Sequence, residues 1–224
     1  MLIIIFLLFS VSFPLYTYNY LPVKDFRPYA IGKKIQDGMI LSIDTKQEIR
    51  EMTFIYEKDG KQMEFKPEQI KDLDSTYKYI DRKDNLIQEA DQPPIHDFSI
   101  ASLDGSDYTE QILNYNGYYF FLVCYDLDKT NKDVFGKVND LAKLCRADKV
   151  PIICLTATAD RIESFKNETK TDIDFYVTDG TQLKTMIRSN PGLILLKQGT
   201  VMDMWHYHSL PSYSEVKEKH FEKK

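Results

Sequence analysis

The residues best suited to redox chemistry in this chain are its three cysteines, Cys124, Cys145 and Cys154. A thiol-disulfide exchange centre usually has two cysteines close together in sequence, so that the second resolves the mixed disulfide formed by the first. These three are widely separated, and each stands in an apolar run (LVCY, KLCR and IICL), where a free cysteine behaves as a small buried hydrophobe. The one candidate for catalysis is Cys124, at the end of an apolar strand.

A second hypothesis about the thiols concerns Cys124 and Cys154, which lie on two predicted buried strands that could be neighbours. One interpretation is a redox-sensing pair that closes under oxidation. The other is two small core residues, which we favour because adjacent parallel strands rarely hold side chains in disulfide geometry. A peroxidatic role for Cys124 alone would require solvent access and a positively charged neighbour, and the sequence shows neither.

Two polar clusters could suggest a metal site, and we predict none. The first alternates along one predicted strand, so its side chains should share a face: Met202, Met204, His206 and His208. Thioether and imidazole groups suit copper, yet six strand residues span about 20 Å, so one ion could touch only two adjacent positions. The second lies in one loop and consists of Asp126, Asp128, Asn131 and Asp133. This loop lacks the glycine and the closing glutamate of an EF-hand, and we expect Asn131 to cap the next helix instead.

Composition excludes several function classes. The chain has 224 residues and a net charge of −5, which is the wrong balance for a nucleic-acid-binding surface. No Ser–His–Asp set or phosphate-cradling glycine loop is apparent, and the chain has only nine glycines. We therefore predict no cofactor and no nucleic-acid partner.

The N-terminal segment is almost wholly apolar (MLIIIFLLFSVSFPLY) and is followed by further tyrosines and then by basic residues. This order is typical of a membrane span with an interfacial aromatic belt, and we predict a membrane anchor over residues 1–20. The alternative is a signal segment, because Ser10-Val11-Ser12 is an acceptable small-residue cleavage site. The side of the membrane is left open by the sequence.

Residues 21–92 are predicted to form a juxtamembrane connector and a small β-hairpin module. Thr53–Tyr56 and Lys61–Phe65 read as strands around Asp59-Gly60, a pair that tolerates the positive φ of a tight hairpin turn. Thr76–Ile80 reads as a short strand, followed by a charged stretch. Pro93-Pro94 then marks a domain boundary.

Strand and helix patterns alternate over residues 93–224, with two continuous apolar runs, Tyr118–Tyr125 and Val150–Ala157, that are typical of strands buried on both faces. Helices of about eight to fifteen residues between the strands favour right-handed crossovers and parallel strand pairing. Pro191–Lys197 and Thr200–Tyr207 should close the sheet as an antiparallel hairpin. The sequence therefore predicts an α/β fold, a three-layer sandwich with a mixed central sheet, preceded by a small β-rich module and an N-terminal apolar helix.

The order of these elements resembles a known superfamily. PPIHDFSIASLDG, a short helix and the FFLVCYD strand are similar to the opening of the TlpA/peroxiredoxin-like branch of the thioredoxin superfamily. SNPGLILLKQGTV resembles its other hallmark, a proline that opens the strand before a glycine-containing hairpin. The resemblance implies a thioredoxin-like fold and a cis peptide bond between Asn190 and Pro191, beside the active-site position.

The chain departs from this superfamily where its chemistry resides. Redox-active members carry a cysteine at the N-terminus of the helix after the central strand, where the helix dipole lowers the pKa of the thiol. The corresponding loop, Tyr125–Asn131, has no cysteine and two aspartates, which would raise the pKa of a nearby thiol. Dithiol exchange in the usual geometry is therefore not expected.

A narrower resemblance links YTYNYLPVKDFRPYAIG, PPIHDFSI and SNPGLILL to the C-terminal region of Bacteroidetes DoxX-type membrane proteins. It implies a domain anchored in the bacterial inner membrane, acting as a non-catalytic interaction or accessory subunit of a membrane redox system. The alternative is a thiol-disulfide oxidoreductase or peroxidase using Cys124. The predicted partner-binding surface comprises Tyr125, Asp126, Asp128, Asn131, Asn190, Pro191 and Trp205.

Overall fold

The computed structural model describes residues 2–41 and 45–222. The chain forms two compact units, one made of Met1–Ile40 with Pro94–Lys224 and the other of Leu41–Pro93. Residues 21–40, which the sequence assigned to a connector, pack with the larger unit because Tyr29 and Ile35 are completely or almost completely buried in its core.

The larger unit is built on a five-stranded sheet with the order β6-β5-β4-β7-β8. The first three strands in this order are mutually parallel, β7 is antiparallel to β4, and β8 is antiparallel to β7. The strands are β4 (Tyr118–Val123), β5 (Ile152–Thr156), β6 (Asp174–Val177), β7 (Gly192–Lys197) and β8 (Thr200–His206). This mixed sheet, with a crossover helix from β4 to β5 and a terminal hairpin, confirms the thioredoxin-like α/β fold.

Alternation along the strands divides the core into two layers. On β4, Phe121 and Val123 face one layer, whereas Phe120 and Leu122 face the other. Helices cover both sides, as in a three-layer sandwich, and the terminal helix continues as a π-helical turn, Lys217–Phe221. The helices of this unit are α1 (Leu2–Asn19), α2 (Ile35–Gly38), α3 (Thr109–Leu113), α4 (Phe135–Ala147), α5 (Ile162–Thr169), α6 (Gly180–Met186) and α7 (Tyr213–Val216).

Helix α1 exposes large apolar side chains between Phe6 and Tyr16, with Phe6 71% exposed and Leu8 66% exposed. Within the part of the chain that the structure describes, no helix is long and apolar enough to cross a membrane.

The smaller unit is a three-stranded antiparallel sheet with the order β2-β1-β3. Its strands are β1 (Ile49–Lys58), β2 (Lys61–Phe65) and β3 (Lys78–Gln88). The turn between β1 and β2 falls at Asp59-Gly60, where both residues have positive φ. Strand β3 is much longer than the predicted Thr76–Ile80, because its charged middle, exposed on both faces, lacks the apolar alternation that marks a strand in sequence.

Two smaller predictions were wrong. Phe98–Leu103 is not a strand: Ala101 makes only isolated bridges, to Val177 and Asp107, and the chain turns at Leu103-Asp104 directly after them. Asp160 does not cap α5, because it lies inside a short 3-10 turn, Ala159–Arg161, that precedes the helix.

A test of the core packing is provided by Gly192, the first residue of β7. A Cβ there would lie 2.6 Å from Cδ1 and 2.8 Å from Cγ2 of Ile187, which is fully buried. Gly192→Ala should therefore lower the free energy of unfolding by about 1–3 kcal/mol, the usual cost of overpacking. Chemical denaturation measures the change.

The matched control is Gly136→Ala in α4. A Cβ at this position meets nothing within 4 Å, and alanine is the better helix former, so stability should be unchanged or raised by up to about 1 kcal/mol. Equal destabilisation of the two variants would contradict the packing at Gly192.

Candidate functional site

The loop after β4 is attached to the segment before β7 by three hydrogen bonds, all involving Asn190. Its Nδ2 donates to the Asp126 carbonyl at 2.8 Å, its Oδ1 accepts from Thr130 Oγ1 at 2.9 Å, and its carbonyl accepts from the Asn131 N–H at 3.0 Å. Asn190 and Thr130 are 8% and 5% exposed. We call this set the Asn190 latch, and it fixes one loop against the other without any covalent bond.

The peptide bond between Asn190 and Pro191 is cis, which confirms the expectation drawn from the resemblance. Ser189 Oγ donates to the Pro191 carbonyl at 2.5 Å and accepts from the Tyr207 N–H at 2.9 Å. The proline loop is thereby attached to the end of β8 as well as to the loop after β4.

A groove of about 700 Å³ opens where these loops meet. We call it the cis-proline groove. Its wall on the β4 side is formed by Tyr125 and the loop 128–133. Its other wall is formed by residues before β7 and by residues at the end of β8. The residues of that second wall are Arg188, Ser189, Asn190, His206 and Tyr207, and Thr17 of α1 completes the lining.

The acidic side chains of the loop are mostly paired within the protein. Asp126 accepts from Lys129 Nζ at 2.7 Å, and Asp128 accepts from Arg161 Nε at 2.8 Å. The hydrogen bond from Lys129 and its positive charge hold the pKa of the Asp126 carboxyl below its usual range. Asn131 caps the short helical turn before α4 by accepting from the Asp133 N–H at 3.0 Å, as predicted.

Histidine 206 gives the groove a buried imidazole. It is 3% exposed, and its Nδ1 accepts from the His208 N–H at 3.3 Å. Burial, reinforced by the nearby charge of His208, lowers the pKa of His206 to about 4. The ring is therefore neutral at physiological pH.

The cysteines lie in the core and not in the groove. Cys124, Cys145 and Cys154 are each free and 0% exposed, and all three belong to the same layer of the core. Burial raises the pKa of Cys145 to about 12, and burial together with a hydrogen bond between its thiol and that of Cys124 raises the pKa of Cys154 well above its usual range. No thiol faces the loop that would carry the reactive cysteine in a redox-active relative.

The structure brings together most, but not all, of the predicted partner-binding residues. Tyr125, Asp128, Asn131 and Asn190 line the groove, while Asp126 and Pro191 support its walls. Trp205 lies elsewhere: it packs against the opposite core layer and 6.5 Å, ring to ring, from His220. Because successive residues of a strand point to opposite faces, Trp205 cannot share the groove with His206.

The predicted alternation of Met202, Met204, His206 and His208 on one strand face was wrong. A register shift beside Leu195 and Leu196 interrupts β8, so Met202 packs on one core layer and Met204 on the other. His208 lies beyond the strand, in a 3-10 turn. Among the described residues, no three His, Cys, Asp or Glu side chains come close enough to hold a metal ion.

Sequence reasoning missed Arg188, Ser189, His206 and Tyr207 as lining residues. The only signal for the first two was their position directly before the Asn190–Pro191 pair. His206 is the last residue of the second strand of the terminal hairpin and Tyr207 follows it, and only the pairing of β7 with β8 brings that end beside the proline.

Solved structures similar to this chain are thioredoxin-like. They include StoA from Bacillus subtilis, at 14% identity and a TM-score of 0.41 over 54% of this chain and 93% of that one. A thiol-disulfide oxidoreductase from Bacteroides fragilis NCTC 9343 matches at 14% identity and a TM-score of 0.44, over 55% of this chain and 96% of that one. A SCO1/SenC family lipoprotein from Bacillus anthracis str. Ames matches at 14% identity and a TM-score of 0.43, over 56% and 91%.

The fold is thioredoxin-like. At this level of identity, the similarity concerns the fold alone, and the strand order with its crossover helix is what establishes it here. Residues 50–89, within the smaller unit, match a family described as Domain of unknown function (DUF8463). None of the curated proteins matches the chain.

The buried imidazole generates a prediction about pH. Because the pKa of His206 is lower in the folded chain than its ordinary value of 6.5, the unfolded chain binds the proton more tightly. The stability that depends on the neutral ring is fully present above about pH 6.5 and is lost as the pH falls toward 4, by up to about 3 kcal/mol. Denaturation of the wild type and of His206→Gln across this range measures the difference.

In His206→Gln, the loss of stability between pH 7 and pH 4 should be smaller than in the wild type, since glutamine does not titrate. His208→Gln is the matched control: burial is the larger cause of the shift at His206, so this variant should keep most of the pH dependence of the wild type. Identical profiles for His206→Gln and the wild type would disprove the assignment.

Proposed function

We propose that this chain is a membrane-associated accessory protein of a thiol redox system, and that its thioredoxin-like domain binds a polypeptide segment of a partner without performing thiol chemistry itself. The observation that carries the proposal is the complete burial of Cys124 beneath a cysteine-free loop that forms one wall of an open groove.

Support for binding comes from the way the groove is built. The Asn190 latch holds both walls in place before any partner arrives, so little conformational entropy is lost on binding. Tyr125, partly buried against the core, offers an aromatic surface, and Lys129, with 80% of its side chain exposed, offers a charge at the rim. An extended segment with an apolar side chain for Tyr125 and a carboxylate for Lys129 fits this surface best.

The burial of the thiols argues against catalysis. The thiolate is the reactive form of cysteine, and reactive cysteines are partly exposed beside positive charge or a helix N-terminus. Cys145 and Cys154 have raised pKa values, and Cys124 is enclosed by the apolar residues of its core layer. The domain keeps the scaffold of a redox protein and presents no thiol at its working surface.

The competing function is a thiol oxidoreductase or peroxidase that uses Cys124. One observation favours it: Cys124 directly precedes Tyr125, a residue of the groove, and it is hydrogen-bonded to a second thiol, that of Cys154. A small displacement of the loop would bring this thiol toward the groove, so the two functions are distinguished by its reactivity.

Thiol labelling of the full chain in detergent provides the test. If the domain does no thiol chemistry, its three cysteines should react with an aromatic disulfide reagent only as fast as the protein unfolds, and it should not reduce insulin disulfides. Cys124→Ala should change neither result. Cys145→Ala, which removes an equally buried thiol, is the matched control for packing effects.

A fast phase of one thiol near neutral pH, lost in Cys124→Ala and retained in Cys145→Ala, would establish the competing function. Reductase or peroxidase activity that accompanies this fast phase would contradict the binding proposal.

Photo-crosslinking tests the groove as a partner site. A benzophenone amino acid in place of Lys129 should give a discrete adduct with one membrane-fraction protein in the producing cells, whereas the same amino acid in place of Lys143, exposed on α4, should not. Tyr125→Ala should weaken the adduct about tenfold, since truncating a central interface aromatic typically costs 1 kcal/mol or more. Equal adducts from both positions would count against the groove.

Membrane association is the second part of the proposal, supported by the exposed apolar side chains of α1. In the same cells, removal of residues 1–20 should shift the chain from the membrane fraction to the soluble fraction. Retention of the shortened chain in the membrane fraction would assign the association to another surface.

A further inference from the structure

The outer edge of β3 is the most conspicuous unpaired surface of the smaller unit. Ten of the eleven residues of Lys78–Gln88 are exposed, and in the described part of the chain no strand pairs with the side of β3 that faces away from β1. Such an edge presents a row of free backbone N–H and C=O groups and acts as a template for another strand.

The smaller unit also buries very little apolar surface. Within its described residues, Ile55 is the only buried hydrophobic side chain. One face of the sheet instead carries a cluster of aromatic rings in mutual contact, each at least partly exposed. They are Phe54, Tyr56, Phe65, Tyr77 and Tyr79. A three-stranded sheet depends on a hydrophobic face for independent stability, and small domains bury a small share of their surface, so added buried surface would stabilise this unit.

The sequence of β3 is self-complementary when read antiparallel to itself. Lys83 is the sixth of its eleven residues, so full overlap of two copies places Lys83 opposite Lys83. Arg82 then faces Asp84 of the other copy, twice. The apolar pair Tyr79-Ile80 faces Leu86-Ile87 at both ends, where β3 has an extra residue relative to β1 at Ile80 and at Ile87, so the pairing is regular over the stretch between these two positions.

Pairings of the two β3 strands that are shifted by one residue fit less well. Within the smaller unit, Arg82 and Asp84 of β3 lie on the same face of the sheet as Phe54 and Met52, their partners on β1. In the overlap centred on Lys83, the aromatic faces of both copies lie on the same side of a six-stranded sheet. A slip of one residue would turn one copy over and separate the two faces.

Charge at the centre of this pairing is balanced locally. The two Lys83 side chains would repel each other, but each Nζ already lies 2.6 Å from Glu64 of its own chain. Arg82 and Asp84 are 2.8 Å apart within one chain, and pairing of two copies would join them into a four-membered network of alternating sign.

We propose that β3 pairs antiparallel with β3 of a second copy of this chain, centred on Lys83, to give a continuous six-stranded sheet. The pairing adds roughly six backbone hydrogen bonds along its regular stretch and joins the two aromatic faces into one. This interface lies on the smaller unit and does not depend on the function proposed for the cis-proline groove.

Cysteine crosslinking of the full chain in detergent tests the register directly. The three native cysteines are buried, so an introduced surface thiol is the one available for oxidation in the folded chain. Lys83→Cys should form a disulfide-linked dimer rapidly under mild oxidation. Asp81→Cys, the matched control on the same exposed strand, should not, because the two copies of residue 81 would be about 13 Å apart.

A mixture of Asp81→Cys with Asn85→Cys should crosslink, since these positions face each other across the pairing. Crosslinking of Asp81→Cys alone as fast as Lys83→Cys, or no crosslinking of either Lys83→Cys or the mixture, would overturn the proposal.

Charge reversal gives an independent test by light scattering. Arg82→Glu alone places two acidic groups opposite each other, and Asp84→Arg alone places two basic groups opposite each other, so each variant should dimerise at least about tenfold more weakly than the wild type. An equimolar mixture of the two restores opposite charges across the pair and should recover the dimer.

Recovery on mixing cannot arise from the pair within one chain, because each chain in the mixture still carries like charges at 82 and 84. A wild type that is monomeric at about 100 μM, a concentration far above the dissociation constants of stable dimers, would refute the interface. A dimer that neither charge reversal weakens would refute it as well. Circular dichroism of each variant establishes that the sheet is intact, and the crosslinking result stands if a reversal unfolds the unit.

Discussion

The larger unit depends on the burial of β4 on both faces. Its residues Phe120 to Val123, and Cys124 after them, are all 0% exposed. With β5 on one side and β7 on the other, the strand joins the two layers of the core and fixes the point at which the following loop leaves the sheet. A thiol at the end of such a strand is held inside the core, whatever the loop beyond it contains.

From this constraint follows the character of the candidate site. A thiol-disulfide exchange centre of the thioredoxin type would place its first cysteine after the central strand at a helix N-terminus, where it is exposed and its thiolate is stabilised. Here the corresponding positions carry Asp126, Asp128 and Asn131, whose side chains form ion pairs and a helix cap. The Asn190 latch then ties this loop to the cis-proline segment. The loops that line the groove are thus held by hydrogen bonds and ion pairs within the protein.

The two units illustrate opposite ways of forming a sheet. In the larger one, apolar strands are covered by helices on both sides, and the sequence shows them as continuous apolar runs. In the smaller one, β1 and β2 form a hairpin whose turn is evident from Asp59-Gly60, while β3 carries charge on residues that face solvent. The periodicity that predicts strands reflects burial, so it fails where a strand is exposed on both faces. The outer edge of β3 is therefore both the hardest element to predict and the surface most open to a second chain.

The sequence by itself determined the order of strands and helices from β4 onward, the absence of a CxxC pair, the Asn131 cap and, through the resemblance, the cis bond at Pro191. These features depend on local propensity and periodicity, which neighbouring residues encode. Only the tertiary structure decided that Arg188, His206 and Tyr207 join Tyr125 in one groove and that Trp205 lies on the other side of the sheet. The reason is that strand pairing and a one-residue register shift set which side chains meet, and both are fixed by contacts between segments distant in sequence.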